Sequence, residues 1–281
     1  MTEPTKEQFT EICLAGACNR GICYIGCFKK LEEEKLLNIK SISSTSIGSF
    51  IGICYILGFT SDELLRIIVS KDFKLFRDFS FSSEGSVLKG QEYKNWVFEI
   101  LSLKINPNIT LLDLYHITKV HFTCTTTCIH SSSDSFKEGI IYMSHINTPN
   151  VPLITAINCS MAFPFIFPPI SYLDCQFIDG GVLDNFPIDL LSDKALGLKV
   201  NFKPIDGFTS IKNPISYIGK IFELISQRFK DLKPNISTTI VSTDCDDFDL
   251  IDFDLSIDDK ITLFKRGYVT MEKFLKTQIT Q

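Results

Sequence analysis

Residues 9–277 predict a three-layer α/β/α sandwich around a mainly parallel central sheet, and the first sixty residues carry most of that expectation. Two short apolar runs, FTEICLA (9–15) and NIKSIS (38–43), have the length and flanking turn residues of buried strands. Between them GICYIGCFKKLEEEKLL repeats apolar residues at helical spacing and then turns charged. A second apolar helix starts near Gly48. Strands joined by a crossover helix form a βαβ unit, whose strands lie parallel.

Further elements follow in order. Thr60-Ser61-Asp62-Glu63 has the form of a capped helix start, and residues 90–103 continue as a helix with Trp96 on its apolar side. Strand patterns return at 119–129 and 138–143, with an apolar helix near 151–162. A Phe/Pro-rich loop, AFPFIFPPI, leads into a short strand, QFI, and then Asp179-Gly180-Gly181. The tail offers helices near 212–230 and 260–277 around an acidic stretch, Asp244 to Asp259, read as a solvated strand and loop. With no repeat and no Ser/Gly/Pro-rich linker, residues 1–281 read as a single domain.

Composition narrows the function. The chain has 44% hydrophobic residues, 24 Phe and a net charge of −5, with no basic stripe, so nucleic acid is set aside as a partner. Its 10 Cys sit mostly in apolar runs, where a thiol behaves as a small hydrophobe, and no apolar signal segment opens the sequence. Reduced thiols in a cytosolic compartment are therefore expected. The longest apolar stretches, Phe50–Phe59 and Met161–Ile170, are short of the ~20 residues that span a bilayer, so membrane contact is expected to be peripheral.

Three places could carry chemistry. Ser44-Thr45-Ser46-Ile47-Gly48 lies where a strand turns sharply into a helix, the setting in which a nucleophile elbow lifts a serine hydroxyl above a sheet edge. The pentapeptide also fits a serine-rich helix cap. Gly16-Ala17-Cys18-Asn19-Arg20-Gly21 occupies the first strand-to-helix turn, where backbone N–H groups and the positive helix end suit an oxyanion. An ordinary turn fits it equally. A dinucleotide loop would need glycine at Cys18. Asp179-Gly180-Gly181 is a turn motif whose carboxylate becomes a useful base only if burial raises its proton affinity.

Order binds these elements together. A glycine-containing turn, a serine elbow about 28 residues later and an Asp-Gly-Gly some 130 residues beyond resemble the patatin-like phospholipase family. LAGACNRGICYIGCFKKLEEE is similar to the family's oxyanion segment and ISSTSIGSF to its nucleophile strand and elbow. ITAINCSMAFPFIFPPI and QFIDGGVLDNFPI resemble its helix, Pro-rich loop and dyad block, and FDLSIDDKITLFKRGYVTMEKFL its acidic strand and closing helix.

The resemblance implies Ser46 as nucleophile and Asp179 as general base. Gly16, Ala17, Cys18, Arg20 and Gly21 would form the oxyanion hole, with Gly48, Gly180 and Gly181 in support. It implies hydrolysis of acyl esters of phospholipids or neutral lipids, at a peripheral membrane surface, without metal or organic cofactor. Three departures from the family pattern stand out: Ala17 and Cys18 replace oxyanion glycines, Ser44 opens the elbow, and Ile47 is bulkier than the usual residue after the nucleophile. They keep open a catalytically silent lipid-binding relative. The four histidines, 116, 121, 130 and 145, lack a distinctive context and are expected to be structural. The Phe163–Ile170 loop is expected to form the acyl-chain entrance, with Phe165 and Phe167 facing lipid.

Overall fold

The computed structural model describes residues 8–79, 86–132, 134–201, 217–221 and 239–279. The chain has a mixed α/β fold, with a central sheet flanked by helices. Among the described residues the sheet has eight strands: β1 (Phe9–Leu14), β2 (Leu37–Thr45), β3 (His121–Ser131), β4 (Gly139–Ser144), β5 (Ile170–Tyr172), β6 (Cys175–Asp179), β7 (Leu196–Asn201) and β8 (Thr239–Asp244). Their order is β5-β6-β3-β2-β1-β7-β8, with β4 also on β3. β3, β2, β1, β7 and β8 run parallel, whereas β4 and β6 are antiparallel to β3 and β5 is antiparallel to β6.

The expected strand, helix, strand, helix opening is present: α1 (Ile22–Glu33) joins β1 to β2, and α2 (Ile47–Ile56) follows β2 directly. Thr60 caps α3 (Ser61–Ser70) in a reciprocal box with Glu63. Trp96 is buried on α4 (Gln91–Ser102), and α6 (Leu153–Ser160) lies against β3, with the Cys124 thiol on the Ala156 carbonyl. Among the described strands and α-helices four were not predicted: α5 (Leu111–Thr118), β5, β7 and β8. Of the helix expected at 212–230 only 217–221 is described, and it is helical. The rest of that range lies outside the described residues.

β1 alternates between the two faces of the sheet. Ile12 and Leu14 point into the main core with α1, α2 and α6, while Cys13 packs with Ile188 and Ala195 on the other side. The final helix, α7 (Ile257–Ile279), crosses α1 at backbone contact. A Cβ on Gly26 would sit 1.9 Å from the Phe264 carbonyl, and one on Gly267 would sit 1.7 Å from that of Cys23. Only glycine at both positions permits that approach.

The acidic stretch corrects the expectation of a solvated strand. The strand ends at Asp244, and the residues beyond turn apolar side chains inward, with Leu250, Phe253 and Leu255 buried. Asp244, Asp246, Asp247, Asp249 and Asp254 stay exposed, where water solvates their charge, whereas the interleaved apolar residues gain from burial. Nine of the ten thiols are buried, with Cys18 half-buried. Among the described residues no helix is long and apolar enough to cross a membrane.

Candidate active site

Strand register brings Ser46 and Asp179 together. β2 runs parallel to β3 and ends with Thr45 beside Thr125, while β6 runs antiparallel and ends with Asp179 beside Thr126. β4 occupies the other edge of β3 at both positions, so β2 and β6 meet tip to tip along one edge. The residue after β2 and the last of β6 therefore face each other, although 133 positions separate them. The Ser46 hydroxyl donates to Asp179 Oδ2 at 2.5 Å.

The elbow is strained in the way a sharp strand-to-helix reversal requires. Ser46 has φ 53° and ψ −128°, in the left-handed half of the map that non-glycine residues avoid. Its N–H donates to Ser160 Oγ at 2.9 Å. Gly48 lets α2 settle on β1, since a Cβ there would lie 2.6 Å from the Leu14 carbonyl. The departures at 44 and 47 are accommodated. Ser44 is fully buried and its hydroxyl donates to the Thr123 carbonyl at 3.1 Å. The Ile47 side chain takes the space that a Cβ on Gly21 would fill, 2.6 Å away.

Asp179 is almost wholly buried. Loss of hydration pushes its carboxyl up to about 7, although hydrogen bonds from Ser46 and from the Gly181 N–H pull the other way. That Gly181 bond, 2.7 Å to Oδ1, holds the carboxylate plane. Gly180 is obligatory for the turn that follows, because a Cβ there would come within 2.3 Å of the Thr125 carbonyl.

The first turn is arranged differently from expectation. The Gly16 N–H donates to the Asn185 carbonyl at 3.0 Å, so that amide points away from Ser46. The Arg20 guanidinium is buried against the Phe248 carbonyl, at 2.9 Å from Nε and 2.5 Å from Nη2. Arg20 thus braces the acidic strap. Gly16 does approach the nucleophile, since a Cβ there would sit 3.3 Å from Ser46 Cβ. Ala17 keeps φ at −151°, but Cys18 adopts φ 45°, the conformation its glycine counterpart would take freely.

A cavity opens beside Ser46 and encloses about 100 Å³, several times the ~10–15 Å³ that one water needs. Cys18, Asn19 and Ile47 line it next to the serine, and Phe73, Phe76, Tyr93 and Trp96 form an aromatic wall. Phe163, Ile166 and Phe167 of the Phe/Pro loop close another side, with Ile251 and Phe253 of the acidic strap. The expectation for Phe167 changes. Its ring stacks on Tyr93 at 5.1 Å within the wall, while Phe165 projects outward, 63% exposed, at φ 65°.

Sequence reasoning missed two supports. Ser160, at the end of α6, receives the Ser46 N–H. Asn185 donates from Nδ2 to the Gly16 carbonyl at 2.9 Å, tying the first turn to the chain behind Asp179. The histidines lie elsewhere. His121 pairs with Ser41, four positions before Thr45 meets Thr125, and lies tilted against Tyr115 and His145, which stack on each other. His116 and His130 are exposed.

The family model for patatin-like phospholipases matches residues 12–192, which includes both turns, Asp179 and the Asn185 block. Bacillus subtilis YqhO is 25% identical over 93% of this chain and 96% of its own length. The probable lipid hydrolase 463L of invertebrate iridescent virus 6 is 26% identical over 66% of this chain and 63% of its own. A fungal lysophospholipase, NTE1 of Meyerozyma guilliermondii, is 24% identical over 73% of this chain, which spans only 13% of that much longer protein. The crystal structure of VipD from Legionella pneumophila shares the fold, with a TM-score of 0.69 over 96% of this chain and 67% of that one at 14% identity.

Proposed function

This chain belongs to the patatin-like phospholipase family, and on that premise we propose that it hydrolyses fatty-acyl esters of phospholipids or neutral lipids through Ser46 and Asp179. The observation that carries the reading is the direct 2.5 Å hydrogen bond between a serine on a strained elbow and a buried carboxylate, opening onto an apolar cavity. Two relatives are named as a lipid hydrolase and a lysophospholipase, which supports the same substrate class.

The chemistry needs no third side chain. Asp179 as carboxylate takes the Ser46 proton while Oγ attacks the ester carbonyl. The tetrahedral oxyanion is stabilised by main-chain N–H groups at the Ala17–Cys18 turn and at the first turn of α2, whose positive end faces the same site. Collapse breaks the ester C–O bond, and the departing alcohol takes the proton from Asp179. Water then attacks the acyl-serine, its proton passing to Asp179, and Ser46 regains its hydrogen as the fatty acid leaves. Arg20 acts through the strap it holds, not through the oxyanion. The acyl chain lies along the Phe73–Trp96 wall, and the exposed Phe165 meets the lipid surface from which substrate is drawn.

Because the base must start ionised and its carboxyl titrates at about 7, kcat/KM should rise through neutral pH and level off above it. The deciding experiment compares wild type, Ser46→Ala and Asp179→Asn on a short-chain chromogenic ester. Hydrolysis by the wild type that disappears in both variants supports the dyad. A correctly folded wild type that binds lipid vesicles but cleaves no ester replaces this reading with a silent lipid-binding protein.

A further inference from the structure

Ser46 holds its backbone at φ 53° with its N–H outside any strand or helix ladder, and the acceptor it finds is the hydroxyl of Ser160 at 2.9 Å. Ser160 is fully buried, the last residue of α6, and its Oγ also lies 3.0 Å from that of Ser49 in the first turn of α2. Two residues on, the Ala162 carbonyl accepts the N–H of Asp179 at 2.9 Å. One three-residue segment therefore grips the backbone of both reacting groups. We infer that Ser160–Ala162 is the positioning clamp that sets the Ser46–Asp179 separation, with the Ser160 hydroxyl as the element that keeps the elbow in its strained form. This rests on the dyad reading above.

The physics follows from the burial. Without an acceptor at 160 the Ser46 N–H is left in a dry site, and an unpaired buried donor is expensive enough to favour rotation of the peptide. Any rotation swings Oγ away from the carboxylate, whereas the cavity wall is untouched. Met161, between the two gripping residues, lines that cavity, so an acyl chain presses on the segment that aligns the reacting pair.

The test is a series at one buried position in the full-length protein: Ser, Cys and Ala at 160, which fall in that order as hydrogen-bond acceptors. On a soluble short-chain ester, Ser160→Ala should lower kcat by about 100-fold, the loss expected for a misplacement near 1 Å. KM should stay within about twofold, with Ser160→Cys between the two. Carbon-13 carboxyl NMR should show the Asp179 midpoint climbing in Ser160→Ala as the serine hydroxyl withdraws. Wild-type kcat and an unmoved Asp179 midpoint in Ser160→Ala would overturn the clamp. If that variant folds poorly, the same two readouts on Ser160→Cys decide the matter. A wild type without esterase activity defeats the proposed function by itself, and the NMR midpoints still judge the clamp.

Discussion

The turns after β1 and β2 lie side by side at one end of the sheet, since Leu14 pairs with Ser44, yet they make the passage from strand to helix differently. Each contains one non-glycine residue in the left-handed region, Cys18 at φ 45° and Ser46 at φ 53°. Each such residue costs on the order of 1–3 kcal/mol. At Ser46 the backbone N–H and the hydroxyl both have buried partners, Ser160 and Asp179. At the first turn the Gly16 N–H and the Arg20 guanidinium are spent on support, on Asn185 and Phe248, while Cys18 lies half-buried at the cavity wall. Strain after β2 aims a reactive atom. Strain after β1 shapes the loop that carries the Ala17 and Cys18 amides. The second turn should therefore be intolerant of change, and the first forgiving.

The largest effect expected is at the intolerant turn. Asp179→Asn should lower kcat/KM by about 10²–10⁴-fold, the range that a positioned general base contributes. The same change should stabilise the fold in alkali. The folded carboxyl titrates at about 7, above the ~3.9 of an unfolded Asp, so its contribution to stability is complete below about pH 4 and is lost as pH rises through 7. Asn has no charge to bury. Its advantage in denaturant titrations should grow between pH 5 and pH 9 toward at most about 4 kcal/mol. A rise in stability equal at both pH values would break the link between burial and basicity.

Next comes Gly180→Ala, where a methyl meets the Thr125 carbonyl at 2.3 Å. Overpacking against backbone should destabilise the protein by about 3 kcal/mol, read from chemical unfolding, and activity should fall with it. At the forgiving turn, Cys18→Gly should move stability upward by about 1 kcal/mol or less, relief of strain offset by glycine's greater freedom when unfolded. A loss above that size would mean the thiol is held as tightly as Ser46. The smallest effect belongs to Phe165→Ser, outside the cavity. Affinity for phosphatidylcholine vesicles in a flotation assay should drop by about threefold at most, while a soluble ester turns over as before.

Much of this was legible in the chain. β1, α1, β2 and α2 were readable because apolar spacing and turn residues are local signals. Ser46 and Asp179 were readable because glycines flank them for steric reasons: Gly48 under α2 and Gly180 under Thr125. α5 could have been found from Thr110 and Asp113, which form a reciprocal cap of the kind recognised at Thr60. β7 and β8 are six-residue strands whose pairing is supplied by distant partners, and β5 has only three residues, paired with β6 across the Leu173-Asp174 turn, so no clear local pattern marks them. The same applies to Ser160 and Asn185, whose contacts span 114 and 169 positions. The resemblance marked Arg20 as part of the oxyanion turn, but its partner, a carbonyl 228 positions away, was not legible.

The glycine crossing of α1 and α7 has a consequence for biosynthesis. α1 leaves the first turn with Cys23, Tyr24 and Cys27 needing cover, and α7 supplies a close-fitting partner from the far side of the sequence. While translation has yet to reach residue 257, that flank stands open to water, and Arg20 has nothing at Phe248 until the strap has been made. Serine and aspartate are both synthesised long before then. The nascent polypeptide thus carries Ser46 and Asp179 in an unfinished frame, and a ribosome that stalls early releases a chain open to proteolysis.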